Sequence, residues 1–107
     1  MAVTAFQQKV YDALQRVPKG QVTTYKYLAH AIGSKAYRAI GTAMKVNPFA
    51  PEVPCHRVVA NDGSIGGFMG HKTGETIDKK IQMLADEGVI VKNRKVVNFE
   101  KIVWKGD

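Results

Sequence analysis

The sequence predicts a mainly α-helical domain with small β elements, built as a winged helix-turn-helix. Three observations carry this reading. Apolar residues recur at helical spacing in several separate stretches. Two of these stretches are short, lie on either side of a glycine, and the second is basic. Short strand-like runs bounded by turn residues come only after them. A chain of 107 residues is one domain's worth of sequence, so a single domain over residues 1–107 is expected, without a companion domain. Hydrophobic residues at 45% and charged residues at 23% are ordinary for a globular chain. That balance excludes a disordered tail, a collagen-like chain and a coiled coil.

Thr4 followed by Gln7 forms a capping-box pattern that opens a first helix. Phe6, Val10, Ala13, Leu14 and Val17 give that helix one apolar face, and Pro18-Lys19-Gly20 ends it. Val22-Thr23 reads as a short extended piece. Thr24 caps a second helix from Tyr25 to Ile32, and Gly33 suits its left-handed end. Ser34 is the expected N-cap of a third helix over 35–46, with Tyr37, Ile40, Ala43 and Met44 as its buried positions. Asn47-Pro48 stops it, and Pro48, Pro51 and Pro54 stiffen the loop that follows. Val58-Val59-Ala60 reads as a strand and Asn61-Asp62-Gly63-Ser64 as a turn. Gly66, Gly67 and Gly70 surround Phe68 and Met69 in a glycine-rich loop that fits neither a dinucleotide fingerprint nor a P-loop. A fourth helix over 76–87 turns Ile77, Ile81 and Leu84 inward and ends at Gly88. Residues 89–97 read as a hairpin about Asn93-Arg94. Phe99, Ile102, Val103 and Trp104 are expected to pack on the core.

Sixteen Lys and Arg against nine Asp and Glu give a net charge of +7. Residues 13–51 carry Arg16, Lys19, Lys26, Lys35, Arg38 and Lys45 and no carboxylate at all. Random surface charge rarely sorts this way, and a basic second helix in a helix-turn-helix points to nucleic acid. A plain helical hairpin in a core is the competing explanation for the same two helices, and the acid-free block favours DNA. No apolar run is long enough to span a bilayer, and the N-terminus lacks the basic-then-apolar order of a signal peptide. The one cysteine excludes a disulfide framework and suits a reducing compartment, cytoplasmic or nuclear.

That cysteine lies in Pro54-Cys55-His56-Arg57-Val58. A lone cysteine is most often a small buried apolar residue. Here a stiff loop precedes it and two basic groups follow, and the His56 imidazole and Arg57 guanidinium are expected to favour its thiolate, the nucleophilic form. If the segment is an extended strand, Cys55 and His56 point to opposite faces, so His56 must act through a water or the chain must turn there. Glu87 is one candidate acceptor to orient His56. Zinc fails on count and spacing, since one cysteine with His30, His56 and His71 fits no zinc motif. A cysteine protease would need a cleft and an oxyanion hole for which the sequence shows little sign.

The pentapeptide resembles the active-site motif of the O6-alkylguanine-DNA alkyltransferases. The resemblance extends in order and spacing to Tyr25 through Leu28, Arg38-Ala39-Ile40-Gly41 with Ala43-Met44, Asn47-Pro48, the Gly66 to Gly70 loop, and Leu84 with Glu87-Gly88, covering residues 4 to 91. It implies an alkyltransferase active-site domain of winged helix-turn-helix type. It also implies that Cys55 takes an alkyl group from guanine O6 in a flipped-out nucleotide and keeps it, once per molecule and without cofactor or metal. His56 would be a water-mediated base on Cys55, Glu87 its orienter, and Tyr25 a donor to the departing guanine. Arg38 would fill the gap left by the base. Ala36, Ala39, Gly41 and Thr42 would allow close approach to the minor groove, with Lys45 on the same DNA-binding helix. The carbonyls of Cys55 and Val58 would read the exocyclic amine, and Asn47 would tie the helix turn to the active-site loop. Arg57, Phe68, Met69 and Gly70 would complete the pocket.

The chain departs from the family in three ways. Many members carry a domain ahead of the helical one. Phe68-Met69 stands where many have tyrosine and a small polar residue. About five extra residues, around His71 to Thr76, precede the fourth helix. The expected partner is double-stranded DNA containing O6-alkylguanine, bound by a monomer, since nothing reads as a dimerisation element. A short alkyltransferase-like protein, which binds such DNA without repairing it and flags it for other machinery, is the alternative. Those proteins typically have tryptophan or another non-nucleophile in place of Cys55. A plain helix-turn-helix regulator would not explain Tyr25, Cys55-His56 and Glu87 together.

Overall fold

A computed structural model describes residues 3–50, 52–67 and 74–106. Helix α1 (Ala5–Gln15) opens with the full capping box: the Thr4 side chain accepts from the Gln7 N–H, and the Gln7 side chain accepts from the Thr4 N–H. Its apolar stripe buries Val10, Ala13 and Leu14 completely. Tyr11, absent from the stripe read in the sequence, is buried too. Its hydroxyl donates to the Ala43 carbonyl at 2.7 Å, and its ring meets Phe49 edge-on at 5.7 Å.

Strand β1 (Thr23–Thr24) leads directly into α2 (Tyr25–Ala31), and the Thr24 hydroxyl caps α2 by accepting from the Tyr27 N–H at 3.1 Å. Helix α2 ends in a Schellman motif. Gly33, at φ +67°, lets its own N–H reach the His30 carbonyl while the Ser34 N–H reaches that of Ala29. Helix α3 spans Tyr37–Lys45. It begins two residues after the expected start, because Ser34 spends its hydroxyl on the Ala36 N–H in a tight turn rather than on a helix cap. Ala36 becomes the N-cap and makes no side-chain bond. Ile40, Ala43 and Met44 face inward as expected, but Tyr37 is 49% exposed. It opens the helix, at the end of the stripe. Helices α1, α2 and α3 pack on one another.

The β elements are short. Strand β2 (Val58–Val59) pairs with β1 in parallel, Thr23 opposite Val58 and Thr24 opposite Val59. On the other side the C-terminal tail is laced to the same segment. The Val22 N–H donates to the Ile102 carbonyl, the Trp104 N–H to the Val22 carbonyl, and the Thr23 hydroxyl to the Trp104 carbonyl. Helix α4 (Glu75–Asp86) buries Ile77 and Leu84, with Ile81 half-buried against the core. Strands β3 (Val91–Lys92) and β4 (Lys95–Val96) form the hairpin read in the sequence. Asn93 and Arg94 are both left-handed, as a type I′ turn requires. A last turn of helix, α5 (Phe99–Ile102), escaped the sequence reading; it is one turn long, too short for a period. Trp104 is buried and Phe99 and Ile102 pack half-buried on the core. The fold is mainly helical with small β elements, as the sequence predicted.

Tyr11 joins α1 to the last turn of α3 through a buried hydrogen bond. Tyr11→Phe removes the only atom that makes it. The variant is expected to lose about 1–2 kcal/mol of stability, read as a lower urea midpoint at unchanged slope.

Candidate active site

Cys55 begins a short 3-10 turn, Cys55–Arg57, between the proline-rich loop and β2. The Cys55 N–H donates to the Val53 carbonyl, and the Arg57 N–H closes the turn on the Pro54 carbonyl. The turn removes the alternation that an extended strand would impose, so both Cys55 and His56 are buried. Asn47 sits just past α3 and is itself buried. Its amide donates to the Val53 carbonyl at 2.9 Å, and its side-chain oxygen accepts from the Phe49 N–H at 2.9 Å. The end of α3 is thereby bonded to the loop that delivers Cys55.

Glu87 is placed by the end of α4. It is the C-cap, and Gly88 at φ +88° completes a second Schellman motif, with Gly88 N–H to Ala85 and Val89 N–H to Leu84. His56 Nε2 lies 3.1 Å from Glu87 Oε2. Arg57 grips the same carboxylate in a two-pronged pair, Nε to Oε1 at 2.9 Å and Nη2 to Oε2 at 2.8 Å. Its remaining nitrogen, Nη1, donates to the Val17 carbonyl beyond the end of α1 at 2.7 Å. The Arg57 guanidinium is therefore turned toward Glu87 and Val17.

The electrostatics follow from these positions. Burial would raise the Glu87 carboxyl, but hydrogen bonds from Arg57 and then His56 outweigh it and hold the group below the usual carboxylate range. Burial lowers His56, and the adjacent Arg57 and Lys80 charges add to that, against the opposing pull of Glu87. His56 is thus neutral at neutral pH. With its Nε2 proton donated to Glu87, Nδ1 is left as a base. Burial pushes the Cys55 thiol up, and the groups that pull it down are Asn47 and then Lys80. This corrects the expectation that His56 and Arg57 favour the thiolate. His56 carries no charge to offer, and the Arg57 charge is committed to Glu87.

Lys80 is the site residue that the sequence reading missed. It is fully buried on the inner face of α4. Its ammonium donates to the carbonyls of Val58 at 2.7 Å, Ile65 at 2.6 Å and Gly67 at 3.0 Å. Burial lowers its pKa to about 7, with the nearby Cys55 pulling the other way. A signal existed: Ile77, Lys80, Ile81 and Leu84 fall at i, i+3, i+4 and i+7, one stripe of the helix. A lysine on an apolar stripe is either an error of register or a buried cation with partners.

Tyr25 is the first residue of α2 and half-buried. Burial, and then the neighbouring Cys55, raise its phenol, so the hydroxyl stays a donor at neutral pH. The entry to α2 is held by the Lys26 N–H donating to Asn61 at 3.1 Å. On α3, Ala36, Arg38, Ala39, Thr42 and Lys45 are exposed, and an added Cβ at Gly41 would meet open space. Ala36, Arg38, Ala39 and Thr42 line an open groove with Thr4, Phe6 and Gln7 of the α1 entrance. Val58 is buried. Phe68, Met69 and Gly70 lie outside the described residues, as do His71 to Thr73 of the extra segment; Gly74 is the N-cap of α4 and Glu75 and Thr76 its first residues. Among the described residues no three His, Cys, Asp or Glu side chains gather to hold a metal. None of their helices is long and apolar enough to cross a membrane.

Residues 5–89 match the family described as 6-O-methylguanine DNA methyltransferase, DNA binding domain. The constitutive methylated-DNA–protein-cysteine methyltransferase of Bacillus subtilis is 48% identical over 71 residues, 65% of this chain and 43% of that protein. The bifunctional transcriptional activator/DNA repair enzyme Ada of Escherichia coli is 44% identical over 85 residues, 78% of this chain and 23% of that one. The chain thus spans less than half the length of either. Among solved structures, Mycobacterium tuberculosis OGT in complex with DNA superposes with a TM-score of 0.70 at 39% identity, over 80% of this chain and 51% of that one. S. pombe Atl1, in complex with damaged DNA containing O6-carboxymethylguanine, superposes with a TM-score of 0.78 at 29% identity, over 98% of this chain and 99% of its own. With most of its length inside the family match and its helices, turn and site residues arranged as described, the chain belongs to the family of the 6-O-methylguanine DNA methyltransferase DNA-binding domain.

Proposed function

We propose that this chain repairs DNA by taking an alkyl group from O6 of guanine onto Cys55, once per molecule. The observation that supports it most is the sulfur itself: the chain's one cysteine, beside a neutral His56 that Glu87 orients. A nucleotide flipped out of the duplex would enter between this turn and Tyr25. His56, through a water, takes the thiol proton. The thiolate attacks the alkyl carbon, a sulfur–carbon bond forms, and the carbon–O6 bond breaks. The electron pair passes into the guanine, and Tyr25 supplies the proton that the ring needs to leave as neutral guanine; water reprotonates the Tyr25 phenolate and takes up the thiol proton from His56, so both side chains end neutral. The products are an S-alkyl cysteine and restored guanine, with no cofactor or metal in the balance. Arg38 would occupy the space vacated by the base, and the small outer residues of α3 together with Lys45 would meet the minor groove and its phosphates. The carbonyls of Cys55 and Val58 each already accept one hydrogen bond, from the Val58 N–H and from Lys80. Each keeps a second lone pair for the exocyclic amine. The partner is double-stranded DNA carrying O6-alkylguanine, bound by a monomer. Its place is with DNA, in the cytoplasm or a nucleus.

A second reading has one observation in its favour. The Atl1 complex matches this chain over nearly the full length of both. On that reading the protein binds O6-alkylguanine DNA without transfer and marks it for other repair pathways. Intact mass after mixing with a duplex carrying one O6-methylguanine separates the two. A gain of one methyl group on the Cys55 peptide, matched by restored guanine, is expected. Tight lesion-selective binding at unchanged mass assigns the second reading. Cys55→Ala is expected to retain lesion binding in a gel shift and to lose transfer entirely.

Glu87→Gln removes the group that orients His56 and opposes the lowering of its pKa. Single-turnover transfer is expected to slow about 100-fold or more at the plateau. The wild-type rate should fall only below about pH 6.5, the ordinary histidine value, because burial holds His56 lower still. In the variant that acid limb should move further down in pH, since the charge favouring imidazolium is gone. A limb that moves up would show that another group sets it.

A further inference from the structure

Lys80 is the one buried lysine or arginine among the described residues, and it is 0% exposed. An ammonium has three protons and no acceptor. All three find backbone carbonyls, those of Val58, Ile65 and Gly67. All three acceptors are neutral carbonyls rather than carboxylates. Burying a charge without an opposite charge is unfavourable, and a methionine would fill the same channel without that desolvation. The cation therefore does something that shape alone does not. Its position shows what. Val58 is the first residue of β2, immediately after the turn that carries Cys55 and His56. Ile65 and Gly67 belong to the glycine loop on the far side of the Asn61–Ser64 turn. One nitrogen gathers both sides. The titratable groups that feel it are Cys55 and His56.

We propose that Lys80 is a positioning residue for alkyl transfer: its side-chain nitrogen ties the Val58 carbonyl, three residues after Cys55, to the Ile65–Gly67 segment, and so holds the cysteine turn in register with that loop. The proposal rests on the reading that Cys55 is the alkyl acceptor. It divides the work around the cysteine. His56 removes the proton, Glu87 orients His56, and Lys80 fixes the strand that follows both reacting residues.

Because the chain has one cysteine, the rate of its alkylation by iodoacetamide against pH reads the Cys55 thiol directly. The variants are Lys80→Met, Lys80→Gln and Lys80→Arg, each checked by circular dichroism and thermal unfolding. In folded Met and Gln variants methyl transfer from an O6-methylguanine duplex should slow about 100-fold or more, while alkylation by iodoacetamide, which needs no positioned guanine, should keep its wild-type profile. Binding to undamaged DNA should be unchanged. The Arg variant should keep the wild-type midpoint but transfer slowly, because a planar guanidinium does not match three converging carbonyls. A folded Met or Gln variant with the wild-type profile and the wild-type transfer rate overturns the proposal. A variant that slows transfer and iodoacetamide alkylation equally has lost the Cys55 site as a whole and overturns the positioning role.

If the Met and Gln variants do not fold, the wild-type protein and the Arg variant carry the test. Single-turnover transfer is then compared with iodoacetamide alkylation in wild-type protein and the Arg variant, which keeps a buried cation; a loss in neither reaction, or an equal loss in both, overturns the proposal. Wild-type protein that gains no methyl group sinks the alkyl-acceptor reading, whereas a wild type that transfers beside unaffected variants sinks the Lys80 role alone.

Discussion

The Glu87 carboxylate accepts from Arg57 at two points and from His56 at a third, and Arg57 in turn holds the Val17 carbonyl. Those four bonds join the end of α4, the turn that bears the cysteine, and the segment just after α1. The carboxylate is where it is because Glu87 caps α4 and Gly88 alone in that stretch takes the left-handed conformation that closes the helix. The geometry of a helix end thus sets the orientation of an imidazole thirty-one residues earlier in the chain. The pairing also decides which charges remain available. Arg57 and Glu87 neutralise each other, and His56 stays neutral between them.

Around this clamp the site is assembled from short-range backbone devices. Proline ahead of Cys55 and the 3-10 turn after it bring two consecutive side chains into the interior. Asn47 bonds the end of α3, the helix with the exposed small residues, to the loop that carries the nucleophile. Thr24 and Asn61 hold the first turn of α2, and with it Tyr25, on the same side. Strands of two residues suffice because β1 is bonded on both flanks, to β2 and to the C-terminal tail.

The electrostatic balance is a competition between burial and partners. For Glu87 the partners win, and for Cys55 burial wins in the protein without DNA. The attacking form of the sulfur is therefore not a standing property of the motif. It depends on Asn47 and on a lysine twenty-five positions further along the chain.

Local signals in the sequence were enough for α1 with its capping box, for the glycine ends of α2 and α4, for the Asn93-Arg94 hairpin, and for the mainly helical class. Each depends on residues within one or two turns of each other, where periodicity and turn chemistry act directly. The motif around Cys55 and its resemblance to a known family pointed to Cys55, His56 and Glu87 as one group before any contact was visible. What the sequence could not decide was everything set by distant partners. Ser34 was free to cap a helix or a turn, and the packing of α3 chose the turn. Tyr37 shared the inward stripe, but it is the first residue of α3 and stays exposed. Arg57 was one of two basic neighbours of a cysteine until α4 brought Glu87 to it. Lys80 drew no reading from the sequence, because the carbonyls of Val58, Ile65 and Gly67 converge on it only in the fold. In each case the deciding energy is the satisfaction of a buried polar group, and whether a group is buried, and beside what, exists only in the folded chain.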